Sequence, residues 1–312
     1  MITTVTFNPA IDKTITVPSF TPGSVNRVHQ GVESLGGKGI NVSKVLQILN
    51  HPTTAIGFIG ERNYAFVQSL IKQDNLTTDF ILVDAPTRTN TKIIDPVHKT
   101  TTDINEQGFT VNETHVDQMT LLINRYAKRS ELMVFSGSVC KGISALEFKT
   151  LLSLASSITK VALDADGDIL REGLKAAPFM IKPNIHELEA LLNTRFTNEQ
   201  HLVLAVRRLL ADHGITYALV SMGESGSLLI SADLALKAGI LPVEPVSTVG
   251  AGDSMLAGFL NAYVQTHDPK AALQQAACIG SLAVASITTE AIQRVNILAL
   301  SASIPVTEVT IG

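Results

Sequence analysis

Ser247-Thr-Val-Gly-Ala-Gly-Asp-Ser254 runs directly into the apolar stretch Met255–Leu260. Gly250 and Gly252, one residue apart, let the backbone turn tightly and bring its N–H groups close to a ligand. The helix that the apolar stretch predicts adds unpaired N–H groups and a positive dipole end. Such a turn suits the negative charge that builds up in phosphoryl transfer. Asp253 falls in the first helical turn, where its carboxylate can accept a proton from an attacking hydroxyl. An acidic residue there also complements the helix dipole without any catalytic duty.

Outward from this turn, apolar β-rich runs alternate with helical patterns along most of the chain. Strands are predicted over Thr3–Phe7, Thr53–Phe58, Leu132–Ser136, Lys160–Leu163, Phe179–Ile181 and Tyr217–Ser221. Helices are predicted over Ile40–Leu49, Tyr64–Gln73, Glu113–Arg129, Ala145–Ser156, Ile185–Leu192, Gln200–His213, Ala251–Gln265 and Lys270–Ser286. Strands separated by helices imply βαβ units, hence an α/β fold with a central, mostly parallel sheet flanked by helices. Two stretches, residues 13–34 and 87–108, are β-like with no helix between their strands. In the second, Arg88, Asn90 and Lys92 alternate, so on a strand they share one face. Asp95–Lys99 contains Pro96 and reads as a turn, with Thr101, Asp103 and Asn105 alternating on the way back. A small inserted sheet with a polar, charged face would form a lid over a polar ligand, within one domain spanning residues 1–312.

Bulk properties narrow the function classes. Of 312 residues, 45 % are hydrophobic and 17 % charged, which excludes a disordered chain. The net charge of −4 leaves no basic surplus to hold a nucleic acid or an acidic membrane surface, so a phosphorylated ligand must be held by local basic residues. Cys140 and Cys278 stand in no metal-ligand spacing, which argues against zinc and a disulfide framework. The N-terminus lacks a basic start followed by a long apolar run, so neither a signal peptide nor a membrane span is expected and the expected compartment is the cytoplasm.

A second glycine turn, Leu35-Gly-Gly-Lys-Gly-Ile-Asn41, also opens a helix. Lys38 offers a charge and Asn41 an amide for hydroxyls; the same run also reads as a plain loop-to-helix junction. It is not a Walker A loop, because Val32 and Gly39 occupy the positions that need Gly and Ser or Thr. Neither turn completes a GxGxxG pattern, since the third glycine would fall on Val42 or Met255. In Lys182-Pro-Asn-Ile-His-Glu-Leu-Glu189, Asn184 and Glu187 have capping-box spacing, and Glu187 could also hold Mg²⁺ through water. Asp12, in Asn8-Pro-Ala-Ile-Asp12, reads as a turn residue or as an acceptor for sugar hydroxyls. Ser136-Gly-Ser138 follows a buried strand, at the usual ligand edge of an open α/β sheet. Ser221-Met-Gly-Glu-Ser-Gly226 reads as a hairpin-type turn.

Together and in this order, these segments resemble the phosphofructokinase B (ribokinase-like) family of sugar kinases over essentially the whole chain. The resemblance rests on Asn8–Asp12, Gly36–Asn41, Thr87-Arg-Thr-Asn-Thr-Lys-Ile93, Lys182–Glu187 and Val246–Phe259. It implies that Asp253 is the catalytic base and that Gly250, Ala251 and Gly252 form an anion hole. It implies that Asp12, Gly37, Lys38, Asn41, Arg88, Asn90 and Lys92 hold a sugar phosphate. Lys182, Asn184, Ser221, Gly223 and Gly226 would belong to the ATP side, with Glu187 reaching Mg²⁺ through water. It further implies a homodimer joined through the lid sheets. The expected reaction carries the ATP γ-phosphoryl group to a ketose phosphate, fructose 1-phosphate in the first place and tagatose 6-phosphate as the alternative. A catalytically weak sugar-phosphate sensor is a further alternative, which the loss of Asp253 or the glycines would favour; all of them are present. A nucleoside acceptor would give Arg88 and Lys38 no phosphate partner. Two departures from the family pattern are Val139-Cys140-Lys141 after Ser138 and the run Leu163-Asp-Ala-Asp-Gly167.

Overall fold

Ile2–Thr6 forms the first strand, β1, and all five of its residues are buried. The computed structural model describes residues 1–285, 290–293 and 295–309. The chain continues through β2 (Ala10–Thr16), β3 (Gln30–Gly36), β4 (Thr53–Gly60), β5 (Thr78–Val83), β6 (Arg88–Asp95) and β7 (Thr100–Asn105). Then come β8 (Leu132–Ser136), β9 (Lys160–Asp164), β10 (Met180–Ile181), β11 (Tyr217–Ser221), β12 (Ser227–Ile230), β13 (Ala235–Ala238) and β14 (Val306–Glu308). The larger sheet has the order β14-β13-β12-β11-β10-β9-β8-β1-β4-β5. Pairing is parallel from β11 to β5 and antiparallel from β11 out to β14.

The central strands are apolar on both sides because both faces of the sheet are covered. Along β8, Met133 and Phe135 join one core with Phe7, Phe58 and Phe148, while Leu132 and Val134 join another with Leu46, Phe259 and Ile279. Helices Glu113–Ala127, Ala145–Ser156, Gly167–Leu174, Ile185–Leu192 and Glu199–His213 supply the first core. Lys38–Ile48, Ala251–Thr266 and Pro269–Val284 supply the second. The helix Ala251–Thr266 is buried from Asp253 to Tyr263, which accounts for its apolar run having no polar face.

The second sheet has the order β3-β2-β6-β7. Strands β2 and β6 pair in parallel, while β3 and β7 pair antiparallel on the outside. Ile11 and Leu35 tie it to Ile40, Ile59, Val67 and Leu70 beneath. Its far end is pinned by Asp95, which is 2 % exposed. The Asp95 carboxylate accepts from the N–H groups of Ser19, Phe20, Val97 and His98 and pairs with His98 Nδ1 at 2.7 Å. The loop after β2 is thereby fastened to the β6–β7 turn.

Several expectations need correction. Asp12 stands within β2, not in a turn, because the strand begins immediately after Pro9. Lys38 and Gly39 belong to the helix that follows Gly37, not to a loop. The pattern passed over β5, the β12–β13 hairpin, β14 and the helix Gly167–Leu174, which has glycine at its first position and again near its end.

Candidate active site

The site forms where β8, β9 and β10 end and three helices begin. Gly250, with φ 78°, is the N-cap of the helix Ala251–Thr266. Its carbonyl takes the N–H of Ser254 at 2.9 Å, so the N–H groups of Gly252 and Asp253 precede the first helical bond and face whatever lies at the helix end. Ala251 N–H turns back to the Thr248 carbonyl. The Lys182 ammonium lies over this turn, 3.2 Å from where a Cβ on Gly252 would stand.

Asp253 is 6 % exposed, and its Oδ2 accepts a 2.9 Å hydrogen bond from the Asn41 amide. Burial, and after it the charge of Asp164, pushes the Asp253 carboxyl up to about 6, against the pull of Asn41, Lys182 and Lys38. Asp164 is 1 % exposed and binds both lysines through one oxygen, Lys38 at 3.4 Å and Lys182 at 3.3 Å. Its Oδ2 accepts from Ser136 Oγ at 3.1 Å. Burial alone would raise the Asp164 carboxyl, but Lys182, Lys38 and Ser136 together hold it below the ordinary range. Burial likewise disfavours the Lys38 ammonium, and Asp164, Asp253 and Glu187 more than offset it. Two buried carboxylates thus share one cluster with the buried Lys182 and the partly exposed Lys38, and in it Asp253 is the group most ready to take a proton.

A second group of residues lies on the small sheet. Asp12 and Asn90 stand opposite each other in the β2–β6 register, and Asn90 Nδ2 donates to Asp12 Oδ1 at 3.0 Å. Asn90 Oδ1 is buried without a hydrogen-bond partner among the described residues, an acceptor open to a hydroxyl donor. Gly36 sits under Asp12 so closely that a Cβ there would overlap the carboxylate. Burial raises the Asp12 carboxyl, against Asn90, Lys44, Arg88 and Lys92. Arg88 donates to three backbone carbonyls, of Glu106 at 2.7 Å, Asn8 at 3.2 Å and Pro9 at 3.4 Å, so its fork also ties β6 to the link between β1 and β2 and to the segment after β7. Lys92 lies 3.7 Å from Asp103 across the hairpin. The turn at Gly37, the N-cap of Lys38–Ile48, joins the two groups, with Gly36 against Asp12 and Lys38 and Asn41 beside Asp164 and Asp253.

A third group flanks the buried cluster. Asn184 caps the helix Ile185–Leu192 in a capping box with Glu187, and Asn184 is bridged to Ser221. Gly223 and Gly226 stand in the turn between β11 and β12. Glu187 Oε2 accepts from the Asn184 N–H at 2.9 Å, which leaves Oε1 for another partner. The residue that sequence reasoning missed is Asp164. Its one signal was position: it ends β9 in register with Ser136, which ends β8, at the carboxyl edge of a parallel sheet.

The description "pfkB family carbohydrate kinase" fits residues 5–294. A 1-phosphofructokinase of Borreliella burgdorferi is 34 % identical over 84 % of this chain and 85 % of its own. The 1-phosphofructokinase of Escherichia coli K12 is 31 % identical over 97 % of each chain. Among solved structures, phosphofructokinase-2 from Escherichia coli in complex with potassium superposes with a TM-score of 0.89 over 96 % of this chain and 99 % of its own, at 24 % identity.

Proposed function

The chain belongs to the pfkB family of carbohydrate kinases, and on that footing we propose that it phosphorylates fructose 1-phosphate with ATP, giving fructose 1,6-bisphosphate. The observation that carries the chemistry is the Asp253 carboxylate, buried at a helix N-terminus, held by Asn41 and flanked by Lys38 and Lys182. Asn41 occupies one carboxylate oxygen, and the other is left to accept the proton of the attacking sugar hydroxyl. The N–H groups of Gly252 and Asp253 and the ammonium of Lys182 receive the charge that accumulates on the transferring phosphoryl group.

The acceptor sugar lies between the two sheets in this reading. Asp12 and Asn90 take its hydroxyls, while Arg88 and Lys92 hold its phosphate. Gly37 leaves the acceptor room beside the reacting centre. ATP enters along Lys182, Asn184, Ser221, Gly223 and Gly226. The small sheet is the lid, keeping water from competing for the phosphoryl group. Mg²⁺ fits as a hydrated ion carried by the nucleotide: Glu187 offers one carboxylate oxygen beside the nucleotide groups, and among the described residues no group of three His, Cys, Asp or Glu could hold a metal. Bound there, the ion would neutralise phosphate charge. The proposed enzyme is cytoplasmic and works as a homodimer joined through its lid sheets.

An ADP-release assay across fructose 1-phosphate, fructose 6-phosphate and tagatose 6-phosphate tests the substrate. The highest kcat/KM is expected for fructose 1-phosphate. Preference for tagatose 6-phosphate would move the assignment to that ketose, and no turnover with any of the three would remove it.

A further inference from the structure

Asp164 has no expected substrate contact of its own, yet it binds one residue expected on the sugar side, Lys38, and one expected on the nucleotide side, Lys182, and is the most connected charge in the cluster. Its Oδ1 stands between two ammonium groups that come from distant parts of the chain, one from the helix Lys38–Ile48 and one just after β10. Without an anion between them the two cations, Lys182 buried and Lys38 about a third exposed, would repel, and Lys38 would swing out toward solvent. Ser136 fixes the second carboxylate oxygen, so Asp164 has little freedom to rotate.

We propose, taking Asp253 as the base, that Asp164 is a positioning residue for phosphoryl transfer, whose carboxylate sets Lys38 and Lys182 as a pair beside the Gly250–Gly252 turn. It also acts on Asp253 through space. The charged groups facing Asp253 are Asp164 from β9, Lys182 from beyond β10 and Lys38 from the neighbouring helix, with Asn41 bonded directly; Glu187 acts on Lys38 from farther out. Of these, only Asp164 opposes ionisation of Asp253. Its removal takes away the one like charge, while Asn41 stays bonded and the buried Lys182 stays near, both favouring the carboxylate, so Asp253 must lose its proton at lower pH.

The test is Asp164→Asn, read by the pH dependence of kcat/KM and by carboxyl ¹³C titration of Asp253 in the free protein, with Asp253→Asn identifying the signal. The wild-type acidic limb and titration midpoint are expected near pH 6, where the Asp253 carboxyl stands. In Asp164→Asn both should move to lower pH by roughly one unit or more. Turnover on the plateau should fall by roughly 10- to 100-fold as the lysines lose their placement. A residue that merely supports the fold would lower the melting temperature and leave the midpoint where it was, and that result overturns the proposal. If Asp164→Asn does not fold, the charge-balanced pair Lys38→Met with Asp164→Asn is compared with Lys38→Met alone. A lower Asp253 midpoint in the pair supports the proposal, and coincident midpoints refute it. A wild-type profile with no acidic limb would sink the reading of Asp253 and the proposal with it. A wild-type limb that Asp164→Asn leaves unmoved sinks the proposal alone.

Discussion

A carboxylate buried beside a second carboxylate is hard to ionise, and Asp253 is in that position for a use: a base is most effective when its proton affinity lies near the working pH. The rate should therefore fall as pH drops through about 6, where Asp253 takes up its proton. Asp253→Asn keeps the size and the partner at Asn41 but cannot accept the sugar proton. Turnover should drop by roughly 10² to 10⁴, about 3 to 5 kcal/mol at the barrier, with ATP binding retained. Stability should move the other way. The folded carboxyl is raised above its ordinary value of 3.8, so the unfolded chain ionises it more readily and the ionised group penalises the fold above pH 6. That penalty, on the order of 3 kcal/mol, fades as pH falls from about 6 toward 4. Thermal melts should then give Asp253→Asn a higher midpoint than the parent at pH 8 and a narrower margin at pH 4.5. An inactive variant with no such gain would mean that Asp253 is ionised without cost, contrary to its buried place.

At the scale of elements, the small sheet is held at its far end by one side chain. Burial opposes the charge of Asp95, but the His98 ring and the N–H groups of Ser19, His98 and Val97 outweigh it and hold the carboxyl well below the usual range. A depressed folded value means that its stabilising effect is present above the ordinary carboxylate range and is lost only on strong acidification. Asp95→Ala removes every acceptor at once, so hydrogen exchange at Ser19, Phe20 and His98 should speed up while the β8 and β9 amides keep their protection. Uniform acceleration across both sheets would instead mean that the tip of the sheet is not a separate unit. Elements of this kind differ in how far the sequence announces them. Ile185–Leu192 was legible to the residue because Asn184 with Glu187 marks its start chemically, and the structure shows the same device, Ser144 with Glu147, at the start of Ala145–Ser156. The strands β12 and β13 have four residues each, too few for a period to emerge. Asp164 carried no spacing signal because its partners, Ser136, Lys38 and Lys182, meet it only after three segments have folded together. The glycine turn of 250–252 was readable because its turn, its helix and its acid are contiguous.

At the scale of the whole molecule, β3 and β7 are the edges of the small sheet, and Val32 and Ile104 on them are more than half exposed. Apolar side chains on open strand edges invite pairing with another sheet, which supports the proposed dimer. Ile104→Asp should shift sedimentation from dimer to monomer and raise the KM for the sugar phosphate more than that for ATP. A monomeric parent would refute the assembly. The two sheets also divide the proposed contacts: Asp12, Arg88, Asn90 and Lys92 ride on the small one, while Lys182, Asn184, Ser221 and Asp253 ride on the large one and its helices. What a kinase of this build accepts is then written on a separate page from how it handles its donor. Transplanting the four-stranded sheet from a relative with another acceptor, together with its Gly36 seat, should exchange the sugar taken and leave the nucleotide half at work, a route by which one catalytic frame could be re-addressed to new sugars without rebuilding its reacting centre.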